Sequence, residues 1–262
     1  MDYFEKIDKN PYEDLFWNVP EEQKRGAVAV IGGNEQSFRA PVTTSEFLIN
    51  KFPLKTVQTI LPDSLKSKLP PLDNLVFLSS TDTGSFADGD ELTKAIDGAD
   101  FSLIIGDISK NSITKEAVDI AVQHSEKPVL ITRDAVDVVA EGKLEKLLMR
   151  TEPVTVFGSI LQWQKIFKAV YYPKILQPSQ SLVQVAEAFH KFTLSYPVQV
   201  IAVHEGQIVI AKNGNVKVVA VGSTGYTMLT IWNGELAGKI MAMNLYNPDK
   251  FIEATVAALF FS

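Results

Sequence analysis

Asn233, Gly234 and Glu235 stand directly before the apolar helical run "LAGKIMAM" (236–243). A Gly-bearing turn that opens a helix presents backbone N–H groups at the positive end of the helix dipole, where phosphates bind. A carboxylate beside such a turn can take a hydroxyl proton, which makes Glu235 a candidate general base. The competing role is a charge that only complements the helix terminus, worth about 0.3–1 kcal/mol. Asp134 closes the apolar run "PVLITRD" (128–134), at a strand end of the kind where α/β folds place ligands. Capping of the following helix is its alternative. Gly33–Pro41, Gly106, Asp134 and Asn233–Glu235 are distant in sequence, yet all follow strands or open helices. A site built from them lies in the crevice at the C-terminal ends of parallel strands.

Other chemistries find no support. Cysteine is absent, which excludes a thiolate nucleophile, a disulfide framework and Cys-ligated zinc. No His/Asp/Glu spacing indicates a built-in metal site, and no Ser/His/Asp set is evident. His124 and His190 fall on helical stretches and read as surface or partly packed, whereas His204 falls at a hairpin. Arg39 reads as a solvated loop residue, with phosphate binding as the alternative. Trp232 reads as packing, with ligand stacking as the alternative.

The elements that must position these residues come in two styles. "AVAVIGG" (27–33), "TVQTIL" (56–61), "NLVFLSS" (74–80), "FSLIIGD" (101–107) and "PVLITRD" (128–134) are near-continuous apolar runs, the pattern of strands buried on both faces of a parallel sheet. "TTSEFLINKF" (43–52) and "TKEAVDIAVQHSE" (114–126) carry apolar residues at helical spacing, the second with Ser112 or Thr114 as its expected N-cap. Alternation over 27–160 predicts a doubly wound α/β sheet. Past an amphipathic helix at 177–197, "VQVIAVHEG" (198–206), "QIVIAKNG" (207–214) and "NVKVVAVG" (215–222) follow one another through tight turns. They must be antiparallel, because a parallel crossover needs a dozen or more residues. Helices at about 233–245 and 248–261 close the chain, with Pro248 suited to a first helical turn.

The 262 residues, 46% of them apolar, suffice for one large α/β domain over 1–262 with a helical leader at 1–26. The net charge of −6, with no Lys/Arg cluster, argues against a nucleic-acid partner. No apolar run approaches the roughly 18 residues of a membrane helix, and the charged "MDYFEKIDKN" lacks a signal-peptide segment, so no membrane is expected and a cytoplasmic location is the default.

With these elements in order, five stretches resemble one family along almost the whole chain: the ADP/ATP-dependent NAD(P)H-hydrate dehydratases of the ribokinase-like superfamily. "QKRGAVAVIGGNEQSFRAP" (23–41) has the layout of the family's strand, Gly-Gly and Gly-Ala-Pro loop, with Arg39 at the loop's second glycine. "ADFSLIIGDISK" (99–110) keeps only Gly106 of a G-P-G-L-G loop, and "LITRDAV" (130–136) keeps Asp134 and Ala135 of D-A-D-A-L. "VTVFGSILQWQKIF" (154–167) keeps the apolar frame of the T-P-H-P-G-E strand without its His, Pro or Glu. "VGSTGYTMLTIWNGELAGKIMAM" (221–243) follows the T-G-N-P-x-M-A-T-G-G-T-G-D-V-L-A-G motif at Thr224, Gly225, Met228, Thr230, Gly234, Leu236, Ala237 and Gly238. One deleted residue puts Glu235 on the family's Asp; without the deletion Gly234 falls there.

The resemblance implies a three-layer α/β/α fold with a mainly parallel central sheet and antiparallel strands near the C-terminus. It implies ATP or ADP with Mg as cofactor, NAD(P)H hydrate as substrate, and a nucleotide or dinucleotide as ligand, with a homo-oligomer left open. It gives Glu235 the catalytic position. Nucleotide binding is implied for His204, Gly206, Thr224, Gly225, Asn233 and Gly234, and substrate binding for Gly33, Ala40, Pro41, Gly106 and Asp134. The activity implied is phosphorylation of the hydroxyl of hydrated NAD(P)H, followed by phosphate loss. Against it, Ile231 and Trp232 carry bulk where the family's glycines let the backbone approach phosphate. A diverged nucleotide-dependent enzyme and a non-catalytic ribokinase-like binding or assembly protein are therefore the two expectations.

Overall fold

A strand whose residues are apolar on both sides is stable only between two layers, and the chain supplies both. The computed structural model describes residues 3–21 and 23–261. Its strands are β1 (Phe4–Ile7), β2 (Ala27–Gly32), β3 (Thr56–Pro62), β4 (Leu75–Leu78), β5 (Phe101–Gly106), β6 (Val129–Thr132), β7 (Val154–Ser159), β8 (Gln199–His204), β9 (Gln207–Lys212) and β10 (Asn215–Ala220). They form one sheet in the order β1-β10-β9-β8-β7-β6-β5-β2-β3-β4. Only β9 runs against its neighbours β8 and β10; every other pair is parallel. The hairpin turns are Glu205-Gly206 and Asn213-Gly214, each with both residues at positive φ. That is the type I′ geometry whose twist matches the strands it joins.

The helices are α1 (Arg39–Lys51), α2 (Gly89–Asp97), α3 (Ser112–His124), α4 (Asp134–Ala140), α5 (Leu144–Leu148), α6 (Ile160–Ala169), α7 (Leu182–Ser195), α8 (Glu235–Tyr246) and α9 (Phe251–Phe260). Alternate strand residues sort the two cores. Val28, Val30, Leu103 and Ile105 pack with α1, α8 and α9, while Ala29, Ile31, Ile104 and Val129 pack with α2 to α7. The expected three layers are present.

Three local expectations change. The leader is built from β1 and a 3-10 helix at Glu13–Asn18 rather than from an α-helix, because β1 can pair in parallel with β10. Their register sets Phe4 against Val216 and Ile7 against Val219, and Glu5 pairs with Lys217. The N-cap of α3 is Asn111, whose side chain accepts the Thr114 N–H, so neither Ser112 nor Thr114 caps it. The last helix begins at Phe251, beyond Pro248.

The chain leaves β2 toward β3 and β4, then returns to the other side of β2 as β5. This reversal opens a crevice at the C-terminal ends of β2 and β5. There the Gly33 N–H donates to the Gly106 carbonyl at 3.0 Å. Gly106 itself has φ 96°, and a Cβ on it would strike the Asp134 carboxylate. Gly106→Ala should therefore cost about 1–3 kcal/mol, the usual range for a forced left-handed residue. Thermal unfolding measures it; a melting temperature equal to wild type would contradict the packing described.

Candidate functional site

Arg133 and Asp107 frame the crevice, and both carry positive φ, 56° and 55°. Non-glycine residues stay in that region only where surrounding contacts over-determine them. The contacts are present. Arg133 Nη2 donates to Asp107 Oδ1 at 2.9 Å. The Arg133 carbonyl accepts Gln162 Nε2 at 2.6 Å, and Gln162 is itself locked in a capping box with Ser159 at the start of α6. Asn34 Nδ2 donates to the Asp107 carbonyl at 2.6 Å, and Asn34 Oδ1 takes the Gln36 and Ser37 N–H groups, so the loop before α1 is tied to the loop after β5.

Asp134, expected at the site, spends its carboxylate on that loop. Oδ1 accepts the Asp107 N–H at 2.9 Å and Oδ2 the Ile108 N–H at 3.2 Å. It positions Asp107 and Gly106 rather than facing the cavity.

Two neighbouring cavities share Arg133 and Asn233. One, of about 460 Å³, is lined by Ser37, Arg39, Thr43, Asp107 and Glu235 besides the shared pair and Ala40. The other, of about 580 Å³, is bordered by Asp137, Ser159, Lys165, Leu229 and Trp232 among others. In the first, α1 and α8 both begin, and the positive ends of their dipoles lie beside Arg39 and Arg133. The Ala40 N–H is taken by Asp107 Oδ2 at 3.4 Å, and Asp107, which also pairs with Arg133, and Glu235 bring two carboxylates to the same lining. Glu235 is exposed at the first position of α8 in the same cavity. In the second, burial raises the Asp137 carboxyl, but its bonds to Lys165 (2.5 Å) and Gln162 (3.1 Å) outweigh that and hold it below its ordinary range.

The turn before α8 is filled by its own side chains. Asn233 Oδ1 accepts the Glu235 N–H at 3.0 Å. The Trp232 indole stacks on Phe157, centroids 5.1 Å apart, and Ile231 is buried. Gly234, at φ 103°, lies so close to Thr44 and Ile105 that no side chain fits. The helix therefore starts with Gly234 as N-cap and Glu235 as the first residue.

The remaining expected residues fall into two sets. Gly33, Ala40, Gly106, Asp134, Asn233, Gly234 and Glu235 gather at the crevice, with Pro41 buried one residue further into α1. Thr224 and Gly225 lie on the loop after β10, where the Thr224 hydroxyl bonds back to the Val221 carbonyl at 2.7 Å. His204 and Gly206 belong to the β8–β9 hairpin. His204 is 2% exposed, and its Nε2 faces the Gln180 carbonyl at 2.8 Å. None of these four lines either cavity. Arg133, Asp107, Asp137 and Lys165 were not singled out from sequence. The one available signal was Arg133 itself, a cation immediately before Asp134 at a strand's end.

Lys239 lies one helical turn after Glu235 and is only 9% exposed. Its Nζ donates to the Phe261 carbonyl at 2.6 Å and lies 5.2 Å from the Tyr226 ring centre, with Phe47 and Phe261 also around it. Burial lowers the pKa of Lys239 and raises that of Tyr226, the latter with help from Glu235. The Tyr226 hydroxyl is buried without a hydrogen-bond partner among the described residues.

No protein-family model and no curated protein matches this sequence at a significant score. Solved structures do resemble the fold. A ribokinase-like superfamily protein from Enterococcus faecalis aligns with TM-score 0.68 at 17% identity, over 99% of this chain and 86% of that one. A hypothetical protein from Streptococcus mutans aligns with TM-score 0.65 at 18% identity, over 92% and 82%. The ADP/ATP-dependent NAD(P)H-hydrate dehydratase from Bacillus subtilis, co-crystallized with ATP/Mg2+ and soaked with CoA, aligns with TM-score 0.61 at 15% identity, over 95% and 84%. At these identities the likeness establishes the fold, which is ribokinase-like.

A pH dependence follows from Tyr226. Unfolded, its phenol ionises near pH 10; folded, burial raises that value. Above about pH 10 the unfolded state sheds a proton that the folded state keeps, so stability is full below that pH and falls above it. Tyr226→Phe removes this contribution and an unpartnered hydroxyl. Denaturant melts at about pH 8 and 10.5 should show a smaller alkaline loss in the variant; an unchanged loss would refute the assignment.

Proposed function

We propose that this protein binds a phosphate-bearing small molecule, a nucleotide or dinucleotide, in the switch-point crevice, and transfers phosphoryl groups weakly or not at all. The observation that carries this reading is the turn ahead of Glu235. An anion hole needs several N–H groups converging on one point. Here the Asn233 carboxamide takes the first N–H of α8, and Trp232 packs on Phe157 where a phosphate-cradling turn needs bare backbone. Arg39 and Arg133 nevertheless supply two cations beside two helix N-termini, which suits a phosphate group. Their fit to a nucleotide's phosphates rests on Arg39 and Arg133, is opposed by the Asp107 and Glu235 carboxylates in the same lining, and is poor at the turn. Magnesium, when it comes, is supplied with the phosphates, as is usual for this ion; it would neutralise phosphate charge there. Arg39 and Arg133 would hold the phosphate end, and Asp107 and Gln162 would keep Arg133 oriented.

One observation favours a second reading, a diverged NAD(P)H-hydrate dehydratase or small-molecule kinase. Glu235 remains exposed in the arginine-lined cavity, within the positive field that a general base beside a phosphate requires.

Two measurements separate the readings. A thermal-shift screen with ATP, ADP, AMP and NADH should reveal stabilisation, about 2.7 kcal/mol at a hundred times the Kd. Arg133→Ala and Arg39→Ala should remove it and Glu235→Ala should leave it. Absence of any shift would overturn the binding claim. NADH absorbance with hydrated NADH, Mg2+ and ATP or ADP should stay near background. Turnover on the order of 1 s⁻¹ or more, abolished by Glu235→Ala, would establish the second reading instead.

A further inference from the structure

Tyr171 occupies the position after a helix end that is usually glycine. The Tyr172 N–H donates to the Phe167 carbonyl at 2.9 Å and the Tyr171 N–H to the Lys168 carbonyl at 3.1 Å, the paired bonds of a Schellman cap on α6. Tyr171 sits at φ 51° and is 92% exposed. Glycine would take this backbone without strain. An aromatic side chain held there gains no burial in return, which points to a use outside the fold.

That side chain stands at the mouth of a cavity of about 620 Å³, on the outer side of α6. The size falls within the range of small-molecule sites. Its floor is rigid: Phe167 and Tyr172 meet edge to face at 5.0 Å, and Phe167 stacks on Phe192 at 4.4 Å. Its far wall is the segment 171–176, pinned to α6 by Gln164 Nε2 donating to the Leu176 carbonyl at 2.7 Å. The same segment is tied to α7 by Lys174 bonding Glu187 at 2.9 Å. Ile175, 66% exposed, lies on the rim. The cavity is therefore preformed and largely apolar.

Its charge is opposite to that of the chain. The protein carries −6 overall, yet Lys165, Lys168 and Lys174 border this one opening. Lys165 is paired with Asp137 and Lys174 with Glu187, while Lys168 has no ion pair among the described residues. An apolar floor with a free cation at its edge matches one kind of occupant.

We propose that this cavity binds an amphiphilic organic anion, an apolar chain or ring carrying a single carboxylate, with the body on Phe167, Tyr172 and Ile175 and the head on Lys168. Tyr171 covers the body. The site lies on the other side of Lys165 from the switch-point crevice, and its proposed occupant is argued without reference to what that crevice binds. Lys165 borders both this cavity and the larger of the two crevice cavities.

The probe is decanoate, with decyltrimethylammonium and decanol as charge controls, titrated calorimetrically into the full chain. Decanoate should bind at one equivalent, and both controls should bind at least about tenfold more weakly. Lys168→Glu should weaken decanoate by a similar factor. Tyr171→Gly should weaken it too while holding or raising the melting temperature, a combination that a misfolded variant cannot give. Arg39→Ala should leave binding unchanged. Equal binding of the cationic probe, or decanoate affinity indifferent to both Lys168→Glu and Tyr171→Gly, would overturn the proposal. A concentration-dependent dimer abolished by Tyr171→Gly would also overturn it, assigning the cavity to a second copy of the chain.

Discussion

The grip of the Asp134 carboxylate on two consecutive backbone N–H groups, those of Asp107 and Ile108, is the contact on which the crevice depends. It fixes the chain as it leaves β5 and leaves no room for a side chain on Gly106. The Gly106 carbonyl is then free to take the Gly33 N–H from the neighbouring strand end. Asp107, held in an unusual conformation, presents its carboxylate to Arg133 and its carbonyl to Asn34. A hydrogen bond to a charged group contributes more than a neutral one, typically about 1.5–3 kcal/mol. Two such bonds from one carboxylate suffice to hold residues in conformations they would otherwise leave.

This arrangement explains which parts of the molecule could be read from its residues. Doubly buried strands announce themselves as apolar runs, and "FSLIIGD" appears in place as β5 with all six strand residues buried. The three hairpin strands were equally legible, because Glu205-Gly206 and Asn213-Gly214 leave no length for a crossover. β1 was not legible. Its four residues, Phe4 to Ile7, include Glu5 and Lys6, and only the distant partner β10 makes them a strand. The N-cap of α3 is Asn111 where Ser112 or Thr114 was expected, a choice among Asn, Ser and Thr that depends on local dihedrals rather than on residue type.

The site was legible in outline and not in detail. Glycines and carboxylates at strand ends pointed to the end of the sheet where the crevice opens. They could not show that Asp134 turns inward to the backbone while Arg133, its neighbour, faces both cavities. Nor could spacing reveal that Asn233 folds onto the next residue but one, or that Trp232 finds Phe157 of β7 on the same face of the sheet. These are contacts between residues far apart in sequence, or choices of rotamer, and neither leaves a periodic trace. The ribokinase-like scaffold follows from strand and helix patterns, whereas chemistry resides in the particular side chains set on it.

The pairing of β1 with β10 has a consequence for how the molecule is made. Glu5 and Lys217, partners in that pairing, are 212 residues apart. At about 5–20 residues per second, synthesis separates them by roughly 10–40 s. β1 is thus without its partner until the eight strands between them and β10 itself have been translated. Its two central charges, Glu5 and Lys6, are the kind that discourage an orphan strand from pairing with a stranger. Biogenesis therefore places its own demand on these four residues: they must wait in solution without aggregating and still be competent to add to the sheet edge once β10 has formed.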